Sequence, residues 1–506
     1  VAYSAYQTWP VDSSVVRSRP FGRAAALALV VVSSGAFAWR VASIGITNHL
    51  AFNTGRADLG VYVSRFREAS QGHLLACSLC DSGRHAYAHF EPAVALLSPA
   101  YLLNPSAQTL IVLQAIVLAS GAIAVFFFAE RALGKAVAAA LALAYLAYPP
   151  LHEVALFDFH SVALAVPLSL WLLYALETGR LRAYFVLAVV LLLVREDLCF
   201  VVAGVGAYAL GSVDVARRRL GWATLGLALV AFVVMQLASP DGVLATYHDV
   251  VGDFTSRVHK TRRPLQSAGV SVTLVQRVFS EDKALYAVEL LSPLLLLPLF
   301  VRGRVLLLYG GVLVLLAEQS LSGTINAEQA ALLIPFLFAL TVEALGALFS
   351  GRTTCGPLVA HALGRALVLG ILVCSVLECY ELGPILRDVP FKAGTHPLQR
   401  APTKDQIDLD ANLRKLSASW PKGVKVAASS NLLPHLGAAS HLYTLDDRSR
   451  SDYVVAFMKQ RTVARRMEAE ETAGQLVRVG TYGDANVYRA RYRGHLSRQA
   501  RQLDDE

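Results

Sequence analysis

Charge is scarce in this chain. Of 506 residues only 16% are Asp, Glu, Lys or Arg, where a soluble domain averages about a quarter. With 55% hydrophobic residues and a mean hydropathy of +0.48, that shortage excludes an ordinary soluble protein. Six cysteines are too few for a disulfide scaffold. There is no P-loop, no G-x-G-x-x-G after a strand and no nucleophile elbow, so nucleotide-driven transport is unsupported. No internal repeat of the kind many transporters carry is visible either. The net charge of +9 does not point to nucleic acid, because the basic residues sit in short clusters between apolar runs. The first such run, Ala24 to Ala38, lacks a small-residue cleavage site and reads as an anchor rather than a signal peptide.

What is present is a series of apolar runs. A helix needs roughly 20 residues to cross about 30 Å of hydrocarbon. Runs of about that size lie near 24–45, 107–129, 134–150, 161–179, 181–195, 198–213, 220–238, 285–301, 304–321, 329–349 and 357–379. This predicts an α-helical polytopic membrane protein of about eleven spans. The segment 91–103, bracketed by Pro92, Pro99 and Pro105, reads as a short interfacial or re-entrant piece. One set of loops holds Arg17, Arg19 and Arg23, Arg131 and Lys135, Arg180 and Arg182, Arg217 to Arg219, Arg302 and Arg304, and Arg352. The positive-inside rule places that set, and residues 1–23, in the cytoplasm. The membrane domain is then 24–380, with external loops at 46–106 and 239–284. The basic run around Lys260, Arg262 and Arg263 departs from the rule, as long loops can.

From Leu382 the hydropathy collapses, and a proline-marked linker, 381–403, leads to an alternation of helix and strand patterns. A polar helix near 404–417 precedes strands at VKVAA (424–428), HLYTL and YVVAF, a helix near 458–471, and strands near 475–480 and 485–490. This is a small extracytoplasmic α/β domain, 404–493, followed by a charged tail, 494–506. Nearer the N-terminus, Cys77 and Cys80 with His73 and His85 fit a zinc site, a local disulfide or two free thiols; an oxidising compartment favours the disulfide.

Five short motifs run through the chain in order: Ala57-Asp58-Leu59-Gly60-Val61-Tyr62, His89-Phe90-Glu91-Pro92, Leu156-Phe157-Asp158-Phe159-His160, Arg195-Glu196-Asp197, and Asn431-Leu432-Leu433-Pro434-His435-Leu436. Together they resemble the bacterial membrane-protein family known as domain of unknown function 2079, over about residues 45–460. That family is distantly similar to GT-C-type polytopic membrane glycosyltransferases. The resemblance implies transfer of a sugar from a polyprenyl-phosphate carrier to an external acceptor. Ala57, Glu91, Arg195 and Ala327-Glu328-Gln329 depart from the family pattern.

Such a transfer needs a base for the acceptor hydroxyl and positive charge at the leaving phosphate. Asp58, just beyond the first span, is the candidate base, with Arg56 beside it to steer a phosphate; the plain alternative is a solvated loop aspartate. Asp158 and His160 flank a Phe at the lip of a span and are candidate catalytic groups; Asp158 could equally cap the helix that follows. Arg195, Glu196 and Asp197 are either a substrate cluster, with Arg195 on the phosphate and an acid on a divalent cation, or a self-neutralising turn. His89 and Glu91 could complete the pocket. His435 could touch a substrate, while Leu432, Leu433 and Leu436 around it suit docking. The sequence establishes no cofactor for certain and leaves metal dependence open; a divalent cation is the one the chemistry could use. The competing readings are a transporter or flippase of a lipid-linked or anionic solute, and a non-enzymatic envelope-assembly protein.

Overall fold

The computed structural model describes residues 22–55, 59–80, 90–238, 281–301, 305–308, 311–312, 328–350, 356–387, 401–439 and 441–491. Arg56, Asp58, His85, His89 and Cys355, most of loop 239–284, most of the run 304–321 and the charged tail therefore lie outside the described residues.

The helical part contains α1 (Arg23–Leu50), α2 (Val61–Ser70), α3 (Ala93–Leu102), α4 (Ala107–Leu133), α5 (Lys135–Leu146), α6 (Pro149–Leu156), α7 (Ala165–Glu177), α8 (Leu181–Leu192), α9 (Leu198–Leu210), α10 (Val215–Ala238), α11 (Glu281–Leu291), α12 (Ile334–Phe349) and α13 (Pro357–Glu381). The boundaries follow from local chemistry. The Ser106 hydroxyl accepts from the Thr109 N–H to start α4, and Gly134, at φ 77°, ends it and lets α5 begin one residue later. Pro149 and Pro150 lack the N–H that would continue α5, so the axis bends by 48° between α5 and α6.

Among the described residues five helices are long and apolar enough to cross a membrane: α1, α4, α10, α12 (counted from Ala330) and α13; the bent pair α5–α6 makes six. Helices also occupy the expected places near 161–179, 181–195 and 198–213. At 12 or 13 residues and 1.5 Å per residue, these reach about 20 Å, less than the bilayer core. On one side the bundle is tied by Arg23 to Glu130 at 2.6 Å and by Arg217 to Glu177, with the Tyr208 hydroxyl donating to Glu177 and Glu343.

At the opposite end, where α1 finishes, sits an α/β unit: α14 (Lys404–Ser419), β1 (Lys425–Ala428), β2 (His441–Thr444), β3 (Tyr453–Phe457), α15 (Arg461–Thr472), β4 (Leu476–Tyr482) and β5 (Ala485–Ala490). The strands form one sheet in the order β2-β1-β3-β5-β4, with β1 parallel to β2 and β3, and β5 antiparallel to β3 and β4. Gly483, at φ 53°, makes the tight β4–β5 hairpin possible. This unit does not close its core alone. Phe52, Cys77, Leu79 and Cys80, from the segment after α1, are buried with Val424, Leu432, Leu433, Leu436 and Val455. Cys77 and Cys80 form a disulfide, which corrects the zinc and free-thiol alternatives.

Packing in the bundle is tight enough to test. A Cβ at Gly121 would lie 2.2 Å from the Tyr145 hydroxyl, which donates to the Leu118 carbonyl on α4. We expect Gly121→Val to destabilise the detergent-purified protein by about 1–3 kcal/mol, read as a lowered Tm. Gly226→Val, where a Cβ meets nothing within 4 Å, should leave Tm unchanged.

Candidate functional site

The break after α6 leaves the last carbonyls of a helix without helical partners. A single buried side chain on α4 gathers them. Gln114 directs Nε2 at the carbonyls of Asp158 (2.8 Å), Val154 (3.2 Å), Ala155 (3.3 Å) and Phe157 (3.4 Å), and its Oε1 accepts the His160 N–H at 2.8 Å. The stretch carrying Asp158 and His160 is thus an irregular turn held to a membrane helix by one amide. The helix-cap alternative for Asp158 is corrected: the turn of 3-10 helix at Ser161–Leu164 has His160 at its cap position, with no side-chain cap bond. The His160 ring packs against Phe157 and Tyr62.

Asp158 lines a small recess between the end of α1, α4 and this turn, in which Asn48, Asn53, Thr54 and Gln114 stand beside the apolar Ile111, Leu156 and Phe159. Thr54 lines the recess two residues before Arg56, and the Gly60 N–H donates to the Gly55 carbonyl at 3.0 Å.

A second buried cluster fixes α2 against the turn. Glu91 accepts from the Tyr62 hydroxyl at 2.8 Å and from the Ser161 hydroxyl, and pairs with the Arg65 guanidinium. Burial, reinforced by the Glu91 charge, pushes the Tyr62 hydroxyl far up its scale, so it stays protonated and donates. Phe159 meets Tyr62 and Phe66 edge-on behind it. Glu196 accepts the Phe90 N–H at 2.9 Å, and Arg195 forks onto both oxygens of Asp197. The charged triplet is buried, and its Arg–Asp pair is internal. It joins the first long loop to the start of α9.

His435 lies elsewhere, at the clasp between the α/β unit and α1. Its ring is sandwiched between His49, at 4.0 Å and 7° from parallel, and Phe52, at 4.2 Å. Its Nδ1 meets Asp410 Oδ1 at 2.6 Å, and Arg414 meets the other oxygen of Asp410 at 2.8 Å. Leu432, Leu433 and Leu436 are fully buried around it, so this motif docks the unit. Asn431 donates to the Phe52 carbonyl at 2.7 Å and Gln406 to the Ala51 carbonyl. His49, Asp410 and His435 come close enough to suggest a metal, but the donor chemistry does not fit one. Parallel stacked imidazoles aim their in-plane lone pairs along parallel lines, and a shared ion must lie in both ring planes. The carboxylates of Glu196 and Asp197 are likewise turned to a backbone N–H and a guanidinium.

The sequence pattern marks Asp158, Glu91, Arg195, Glu196, Asp197 and His435, and the structure divides them among a recess, a loop brace and a clasp. It adds Gln114, Asn48, Tyr62, Arg65, His49 and Asp410. The one available signal for Gln114 and Asn48 is an amide inside an otherwise apolar helix.

Residues 48–483 match the family described as predicted membrane protein (DUF2079). The chain belongs to that family. No match was found among curated proteins. In structure the chain is similar to ArnT from Cupriavidus metallidurans in the apo state, at 14% identity over 94% of this chain and all of that one, with a TM-score of 0.51. It is similar also to ArnT from the same organism bound to undecaprenyl phosphate, at 14% identity over 90% of this chain and 97% of that one, with a TM-score of 0.52. The expected distant similarity to GT-C-type enzymes is thus met at the level of fold.

The clasp carries a pH dependence. Burial lowers the His435 pKa, the Asp410 carboxylate opposing but not cancelling it. Burial also works against the Asp410 charge, yet the bond and charge of His435, then Arg414, outweigh it and leave that pKa lowered. A depressed histidine contributes stability that is complete above its unfolded value, 6.5, and is lost as pH falls through the folded value. Wild type should therefore lose Tm between pH 7 and 5, and His435→Gln, which does not titrate, should lose less. Equal losses would show that His435 does not titrate with unfolding.

Proposed function

We propose that the chain transfers a sugar from a polyprenyl-phosphate carrier to an acceptor hydroxyl, at a site on the outer face of a bacterial inner membrane. In this reading the chain crosses about eleven times, with the N-terminus in the cytoplasm and the α/β unit outside. The observation that carries it is the fold shared with ArnT, one of whose structures holds undecaprenyl phosphate. A small recess that holds Asn48, Thr54, Gln114 and Asp158, at the end of the bundle where the α/β unit sits, supports it.

The chemistry assigned to the site is a displacement. Asp58 takes the proton of the acceptor hydroxyl, whose oxygen bonds to the anomeric carbon. The bond from that carbon to the phosphate oxygen breaks, and polyprenyl phosphate leaves with the electron pair. Arg56, and Arg195 oriented by Asp197, offset the charge growing on the phosphate. Asp158 and His160 are assigned to the sugar, and His89 to substrate binding. Glu91, Glu196 and His435 act one step back, holding the loops and the α/β unit that form the walls. A divalent cation, where bound, would add positive charge at the phosphate; no step depends on it.

The test is transfer from radiolabelled polyprenyl-phosphate sugars by detergent-purified protein. We expect Asp58→Asn to reduce turnover by about 10²–10⁴-fold, the usual worth of a positioned base, with yield and Tm unchanged. Retained turnover would move the base elsewhere. Wild type that neither binds nor turns over any carrier would favour the transport or envelope-assembly readings.

A further inference from the structure

Asn48 sits near the end of α1, only 4% exposed, and neither its Oδ1 nor its Nδ2 has a partner among the described residues. It lines the same recess as Thr54, Gln114 and Asp158. Each buried polar group left unmatched costs about 1–3 kcal/mol, and an apolar side chain of equal size would avoid that cost. An amide kept there is stability given up for a ligand.

The chemistry of the recess selects the ligand's group. An amide presents an acceptor and two donors side by side, and a hydroxyl both donates and accepts. A cation would use Oδ1 and leave Nδ2 unmatched. A phosphate is too large for a recess with room for about one water-sized group. A hydroxyl uses both ends of the amide, can donate to Asp158, and suits Thr54, whose Oγ1 is already held at 3.0 Å by His49 Nδ1. We infer that Asn48 binds one hydroxyl group of the sugar that the protein handles, the recess having room for about one water-sized group, and so sets which sugar is accepted. This rests on the transfer reading above for the identity of the carrier.

The experiment compares wild type with Asn48→Leu. Undecaprenyl-phosphate glucose, mannose and galactose are tested, and the tightest binder is then compared with its monodeoxy analogues, with binding and turnover followed separately. In wild type at least one deoxy analogue should bind roughly 10- to 100-fold more weakly than its parent, the range expected for a lost hydrogen bond in a buried site. Asn48→Leu should bind the parent as weakly as that analogue and not distinguish the two, with Tm equal to wild type or higher. Discrimination retained in Asn48→Leu, or absent from wild type, overturns the assignment. A lowered Tm in Asn48→Leu also overturns it, since the amide would then be holding a structural water. Discrimination in binding without any turnover contradicts transfer and leaves the hydroxyl site standing. No binding of any of the three sugars contradicts both.

Discussion

The structure depends on one shared core. The sheet of the α/β unit is closed by Phe52, Leu79 and the Cys77–Cys80 disulfide, which come from the loop after the first helix, more than 340 residues away in the chain. Apolar burial is not directional, and Leu432, Leu433 and Leu436 are fully buried in this core together with Phe52 and Leu79. Once they are seated, His435 enters its sandwich, Asn431 and Gln406 reach the carbonyls at the end of α1, and Leu433 packs beside Gly60.

A second constraint acts from inside the bundle. Pro149 and Pro150 bend the helix before α6, and α6 itself ends at Leu156, where the chain leaves helical geometry and its last carbonyls must be met. Gln114 meets them and at the same time holds the His160 N–H. The irregular turn is therefore a rigid feature, and it places Asp158 beside Asn48 and Thr54. Glu91, with Tyr62, Arg65 and Ser161, braces the other side of the turn. Breaking such a buried pair is costly, about 3–5 kcal/mol in general, so these charges serve to fix one geometry.

Much of this was legible in the chain before any coordinates. The membrane class follows from scarce charge and long apolar runs, and the α/β unit from the period of its strands: VKVAA and YVVAF became β1 and β3. The five motifs were enough to find the family, because each lies at a place where chain segments meet. Their roles were less legible. Arg195-Glu196-Asp197 reads equally as a substrate cluster or a turn, and only the distances show its internal pair and its bond to Phe90. His435 reads as a binding group until its ring is seen between His49 and Phe52. Gln114, Asn48 and His49 were missed because a polar residue in an apolar helix has no local pattern; Gln114 meets carbonyls 40 or more residues on, and His49 stacks on a ring of the distant α/β unit. The span count was legible only coarsely, since helices such as α8 and α9 are too short to declare themselves by length.

The central claim is that the recess formed by the end of α1, the 155–160 turn and the neighbouring loop is where a lipid-linked sugar is handled. The most direct measurement is a cryo-EM structure of the full chain in a lipid nanodisc with an undecaprenyl-phosphate sugar. The account predicts density for the sugar against Asn48, Thr54 and Asp158, with the phosphate towards the loop that carries Arg56. Density confined to another part of the bundle, with this recess filled only by water, would contradict it.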